Sequence, residues 1–267
     1  PMLTYGGIEA LIAHGTDEQK ELYLGKLLTG EWSATMNLTE PQAGSDVGAL
    51  RTRAEPNADG SWAISGQKIF ITWGEHDCAE NIIHLVLART PGSPEGTKGI
   101  SLFIAPKILP DGSRNDLRAI GVEHKLGIHG SPTCTMEYTG ATGWLIGGEN
   151  AGMRCMFTMM NNARLLVGTQ GVAVAEAATQ AAIAYAQERR QGRPPESTLP
   201  KGEMAAIAEH ADVRRMLMTM KALTGAARAI CYANGVALDL AHGGATAEDK
   251  AFGQARADLL TPIAKAF

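Results

Sequence analysis

The chain has 267 residues, 45 % of them hydrophobic and 19 % charged, with a formal net charge of −4. That balance fits a globular protein with a sizeable core and gives no electrostatic case for a nucleic-acid partner or an anionic membrane surface. No apolar run approaches the roughly 20 residues that a membrane-spanning helix requires.

The first zone predicts two short helices between Ile8 and Leu28. Ile8, Leu11, Ile12, Leu22, Leu24, Leu27 and Leu28 have helical spacing, broken at His14-Gly15-Thr16. Thr16 followed by Asp17-Glu18-Gln19 reads as an N-cap with acidic residues in the first turn, where the helix dipole favours them. Pro1 is not a natural initiator, and the chain reads as a fragment of something longer.

From Trp32 to about Gly152 the signals become those of strands. Trp32, Ala34, Met36 and Leu38 alternate with polar residues, as a half-buried strand requires. Strands are then expected at 62–64, 68–73, 82–88, 100–104, 133–138 and 144–146, separated by turn clusters such as Pro56-Asn-Ala-Asp-Gly60 and Pro110-Asp-Gly-Ser113. Short strands at this spacing predict a compact barrel or sandwich.

From Met153 the chain is helical again. An Ala-rich helix runs to about Arg190 and ends near Gly192, with Pro194-Pro195 beyond it. Val213, Met216, Leu217, Met220, Leu223, Ala227 and Ile230 form a second apolar stripe. A third run, Ala251 to Phe267, stops without a cap, so a facing helix is expected past Phe267. The expected class is α+β in three parts: N-terminal helices at 1–31, a β-domain at 32–152, and part of a C-terminal helical bundle at 153–267.

Several chemistries are excluded. The cysteines at 78, 134, 155 and 231 form no C-x-x-C pair, and their scatter suits buried thiols in a reducing, cytoplasmic setting. His124 and His129 flank a glycine at a spacing that suits no metal, so no metal site is expected. Gly147 to Gly152 continues into Met153 rather than Gly-Lys-Ser/Thr, so it is no phosphate-binding Walker loop. No G-x-G-x-x-G follows a strand, which excludes a Rossmann-type site.

One stretch stands out. Met36-Asn-Leu-Thr39-Glu-Pro-Gln-Ala-Gly-Ser45-Asp46 places backbone amides and small hydroxyls at a strand end, with a glycine allowing close approach of a ligand. Turn chemistry alone favours a plain loop with Asp46 as an Asx cap. With Ser65-Gly-Gln-Lys-Ile-Phe-Ile-Thr72, however, it resembles the paired signature of the acyl-CoA dehydrogenase family. The resemblance covers nearly the whole chain and implies an acyl-CoA dehydrogenase-like fold, with a central β-barrel or sandwich flanked by partial helical domains.

The resemblance also implies FAD as cofactor. Met36, Leu38 and Thr39 would touch the isoalloxazine ring, and Ser45 would lie near both the flavin phosphates and the acyl-CoA. Phe70, Ile71 and Thr72 would form the strand that covers one flavin face, with Phe70 where many relatives carry Trp. Met156-Phe-Thr-Met-Met-Asn-Asn-Ala-Arg164 resembles the family helix near bound substrate, which assigns Arg164, and Asn161 in place of a common Asp, to acyl-CoA. Tyr185-Ala-Gln-Glu-Arg189-Arg-Gln-Gly192 resembles an element whose arginine reaches the flavin pyrophosphate of a neighbouring subunit. This assigns Arg189 to the cofactor and implies a homodimer or homotetramer. Arg190 and Arg193 read as an ordinary basic helix end.

The family reaction is α,β-dehydrogenation of an acyl-CoA thioester, with electrons passed to an electron-transfer flavoprotein. It needs a carboxylate base beside the α-carbon. A minority of relatives place that Glu just before the arginine equivalent to Arg164, where this chain has Ala163. The resemblance therefore puts the base beyond Phe267 and implies that this chain alone is inactive. Asn81 to Arg89, Lys98 to Phe103 and Glu123 to Thr133 resemble the 3-methylmercaptopropionyl-CoA dehydrogenase-like branch. Two other readings stay open: an acyl-CoA oxidase, and more distantly a flavin-containing, DNA-associated alkylation-response protein.

Overall fold

A computed structural model of the chain describes residues 2–267. The order of elements is α1 (Met2–His14), α2 (Asp17–Thr29), β1 (Trp32–Asn37), β2 (Arg53–Pro56), β3 (Trp62–Thr72), β4 (Asn81–Arg89), β5 (Ile100–Pro106), β6 (Leu117–Val122), β7 (Thr133–Ile146), α3 (Gly152–Glu188), α4 (Ala211–Gly243) and α5 (Ala247–Ala266). The architecture is α+β, as expected. Two strands, β2 and β6, lie outside the sequence expectation, and two expected pairs of strands are continuous as β3 and β7. The chain divides into two compact units, 1–163 and 164–267, with α3 running across the boundary.

The sheet closes on itself. β4 pairs with β5, β5 with β7, β7 with β3, and β3 with β2, which returns to β4 through the pair Arg53 and Arg89. The result is a small barrel, with β1 added in parallel to β4 and β6 added antiparallel to β7. Closure removes most free sheet edges.

β4 shows why this sequence folds so. Its residues Asn81 to Ala88 are all buried, as expected for a strand covered on both faces. Ile83, Leu85 and Leu87 point to a core shared with Ile8 and Leu11 of α1, Leu27 of α2, and Met156 and Met159 at the start of α3. Val86 and Ala88 point the other way, into the barrel interior with Ile64, Phe103, Met136 and Tyr138. α1 is pressed close: a Cβ on Gly7 would lie 2.7 Å from that of Ala34 on β1.

Thr16 caps α2 as expected, accepting from the Gln19 amide while the Gln19 side chain accepts from the Thr16 N–H. In the second unit α4 packs along α5, Gly168 of α3 lies against Ala264, and Arg228 pairs with Glu176 at 2.6 Å. Among the described residues no helix is long and apolar enough to cross a membrane, and no three His, Cys, Asp or Glu side chains are grouped to hold a metal ion.

Candidate active site

Two segments about thirty residues apart in sequence meet at the end of β1. The Ile69 amide donates to the Thr39 carbonyl at 2.9 Å, and the buried Thr35 hydroxyl donates to the Thr72 carbonyl at 2.6 Å. Met36, Leu38 and Thr39 are thereby placed beside Phe70, Ile71 and Thr72.

The pleat explains how Phe70 becomes available. Ile64 and Lys68 are buried on the barrel side of β3, and strict alternation would bury residue 70 as well. Instead the pairing with β7 slips between Lys68 and Ile71, and Phe70 adopts a φ of +60°. The extra residue inverts the parity, so Phe70 turns outward at 57 % exposure while Ile71 enters the barrel core at 2 %. A bulky residue with positive φ is strained, and such strain concentrates at ligand sites. Trp73 repeats it at φ +56°. Thr72 is exposed between them. The Ile71 side chain is committed to the core, so only its backbone faces the ligand side.

The loop after β1 is rigidly held. Glu40 and Ala43 exchange backbone hydrogen bonds of 3.1 and 3.0 Å around Pro41-Gln42. The Glu40 carboxylate, 3 % exposed, accepts from the amides of Arg51 and Thr52, from the Thr52 hydroxyl, and from Lys68 Nζ at 2.8 Å. Lys68 is fully buried and donates also to the Leu38 carbonyl. Burial alone would raise the Glu40 pKa; the Lys68 charge and these donors outweigh it and hold the pKa down at about 2. For Lys68, burial wins over the Glu40 charge and brings the pKa down to about 8.

This pair is the functional feature the sequence reading missed. The signal was a lysine in phase with Ile64 on the inward face of a strand, since a buried charge requires a partner. Asp46 does not act as the Asx cap: it stands before the short 3₁₀ turn Val47–Ala49, and its side chain makes no capping hydrogen bond. Ser45 is exposed next to it.

Beneath the site the Tyr138 hydroxyl donates to Asn37 Oδ1 at 2.8 Å, and Asn37 Nδ2 lies 3.3 Å from His84 Nδ1. Desolvation lowers the His84 pKa to about 3, so the ring is neutral. A second histidine contact, His76 Nε2 with the Ser33 hydroxyl at 2.9 Å, resembles a nucleophile–base pair. However, His76 Nδ1 accepts from the Cys78 amide, so Nε2 carries the proton and cannot act as a base toward Ser33.

Of the remaining expected positions, Asn161 is exposed on α3 and Ala163 is the last residue of the first unit. Arg164 and Arg189 belong to the second unit. Arg189 follows α3 directly and is exposed, with the Ile207 amide donating to its carbonyl. Arg193 donates to the Pro200 carbonyl at 2.9 Å, in keeping with a structural part in this loop.

The site as built offers an outward aromatic ring, two exposed hydroxyls and a rigid backbone at one strand end. That set fits a flat heteroaromatic group laid against Phe70, with polar edges toward the Thr39 to Ser45 loop. Residues 35–141 match the family model described as acyl-CoA dehydrogenase, middle domain. The chain is 53 % identical over its whole length to 3-methylmercaptopropionyl-CoA dehydrogenase of Ruegeria pomeroyi, covering 46 % of that protein. It is 41 % identical over 99 % of its length to butyryl-CoA dehydrogenase of Syntrophomonas wolfei, covering 45 % of it. Among solved structures, an acyl-CoA dehydrogenase from Bacillus anthracis complexed with FAD superimposes with a TM-score of 0.75 at 27 % identity, over 96 % of this chain and 40 % of that one. The chain thus spans about half the length of the curated relatives it matches.

Proposed function

Because this chain belongs to the acyl-CoA dehydrogenase family, we propose that it forms the flavin-holding part of an FAD-dependent acyl-CoA dehydrogenase. The observation that carries this reading is the parity-inverting bulge at Phe70, which turns an aromatic ring outward beside Thr72 and the Thr39 to Ser45 loop. Bound FAD would supply the oxidant that takes the β-hydrogen from the acyl thioester.

The chain's own residues then bind, orient and exclude water. Phe70 covers one face of the isoalloxazine, and Met36 and Leu38 give the apolar wall on which it rests. The hydroxyls of Thr39 and Thr72 satisfy polar atoms on the ring edge. Ser45 and Arg189 bind phosphate oxygens, Arg189 as a bidentate donor across a homodimer or homotetramer interface. Asn161 and Arg164 bind the acyl-CoA. Glu40 and Lys68 position the loop and touch no ligand. With alanine at position 163, that position supplies no carboxylate to take the α-proton. The electron acceptor is an electron-transfer flavoprotein.

Flavin binding is tested by titrating FAD into the purified chain and following quenching of flavin fluorescence, in wild type and in Phe70→Ala. Saturable binding weakened by the substitution supports the assignment. Equal binding by both proteins counts against Phe70 as the covering residue.

A further inference from the structure

We propose that Thr35 is a positioning residue of the flavin site. Its hydrogen bond to the Thr72 carbonyl sets the plane of the Thr72–Trp73 peptide and so aims the Thr72 hydroxyl at the bound ring. The inference rests on the flavin reading and adds to it a residue that touches no ligand.

β1 has two unlike faces. Ala34, Met36 and Leu38 join the apolar core shared with α1. Ser33, Thr35 and Asn37 alternate with them and turn the other way. Each of the three engages a particular partner: Ser33 meets His76, Thr35 the Thr72 carbonyl, and Asn37 both Tyr138 and His84. Thr35 and Asn37 are both 0 % exposed. Valine would fill the place of Thr35 and bring no polar atom to satisfy, so packing alone does not account for a hydroxyl there.

The Thr72–Trp73 peptide is held at both ends. Its carbonyl accepts from the Thr35 hydroxyl at 2.6 Å, and its N–H donates to the Pro132 carbonyl at 2.8 Å. A peptide unit is planar, so two fixed ends fix its orientation, and with it ψ of Thr72 and φ of Trp73. That φ is +56°, in the left-handed region that a bulky side chain avoids, and Phe70 is at +60° three residues earlier. Such conformations persist only where the surroundings impose them. Thr72 is exposed between the two strained residues, and loss of the Thr35 donor frees its peptide to turn.

Thr35 is itself supported from below. The Tyr138 hydroxyl donates to Asn37 Oδ1 at 2.8 Å, which turns Asn37 Nδ2 toward His84 Nδ1 at 3.3 Å and the Thr35 carbonyl at 3.4 Å. The row is extended by Ser33, whose partner His76 sets its ring edge-on to Trp73, with centroids 4.8 Å apart. The polar face of β1 thus grips both the peptide before Trp73 and the ring of Trp73.

The test uses the protein expressed from its complete reading frame, as wild type, Thr35→Val, Thr35→Ser and Tyr138→Phe. Three quantities are read: the Kd for FAD, the absorption bands of the flavin at saturation, and the melting temperature of the apoprotein. Thr35→Val keeps the shape and loses the donor. It is expected to weaken FAD about tenfold and to move the bands, which respond to hydrogen bonding at the ring edge. Thr35→Ser restores the donor and is expected to return both to within about twofold of wild type, although the lost methyl lowers its melting temperature. Tyr138→Phe is expected to move the bands in the same direction by less. A merely structural threonine would change the melting temperatures and leave the bands of the bound flavin in place.

A Thr35→Val protein with wild-type affinity and wild-type bands overturns the positioning role and leaves the flavin reading standing. If Thr35→Val does not fold, unchanged affinity and bands in Tyr138→Phe overturn it equally. A wild type that takes up no FAD overturns both.

Discussion

Replacing Lys68 by methionine probes the joint between the two halves of the site. In the wild-type pair the cost of burying two charges is set against their mutual attraction. Burial opposes the charge on Glu40, but Lys68 and the other donors outweigh it and hold the carboxyl at about 2. Burial also opposes the charge on Lys68 and, despite Glu40, brings it down to about 8. Removing one partner of such a pair is expensive. Lys68→Met leaves the Glu40 carboxylate buried with only its amide and hydroxyl donors. We expect a loss of about 3 kcal/mol, or roughly 6–12 °C in melting temperature for a protein of this size. Glu40→Gln should cost a similar amount by stranding Lys68. The double variant should cost less than the sum of the two by at least about 2 kcal/mol.

The pH dependence follows the same pair. Between about pH 8 and 10.5 the unfolded Lys68 holds its proton and the folded one does not, so this group makes stability rise with pH there. Glu40 contributes stability above about pH 4.5 that is lost as pH falls toward 2. Thermal melts across both windows, on wild type and on Lys68→Met, read both effects, and the alkaline rise should vanish in the variant. Strictly additive single variants, or a Lys68→Met protein within 0.5 kcal/mol of wild type, would refute the reasoning.

Phe70→Gly should leave the apoprotein within about 1 kcal/mol of wild type, because relief of the positive φ offsets the backbone entropy of glycine. The same change should weaken FAD about tenfold through lost stacking, read by fluorescence titration; a large loss of apoprotein stability would contradict it. His84→Gln tests the neutral buried histidine. Its pKa is lowered from 6.5 to about 3, so wild type should lose about 2 kcal/mol between pH 7 and pH 5 as the unfolded state takes up a proton. Melts at the two pH values should show that difference in wild type and not in the variant.

Much of the architecture was legible in the sequence because its signals were local. Alternation located β1, a continuous apolar run located β4, and Thr16 marked the start of α2. β2 was missed because Arg53-Ala-Glu-Pro56 is short and charged, and its pairing with β3 depends on residues that follow it. β6 was missed because Gly121 interrupts it and its partner β7 lies past a long loop. The expected breaks in β3 and β7 came from reading turns into strands that pass through irregular pairing. At the site, the aromatic and hydroxyl residues could be named from their motif, but the inversion at Phe70 could not. It depends on a register slip against β7, about sixty residues later. The Glu40–Lys68 pair spans 28 residues and is visible only when both are placed on the barrel's inner side.

The central claim is that this strand surface holds a flavin that oxidises an acyl-CoA. The most direct test is the visible spectrum of the protein expressed from its complete reading frame, recorded anaerobically before and after addition of a panel of acyl-CoA thioesters. A flavin spectrum that bleaches with at least one thioester, and fails to develop in a Phe70→Gly/Thr72→Ala variant at limiting FAD, is the predicted result. A colourless protein that does not take up FAD, or a flavoprotein that no thioester reduces, would contradict the account.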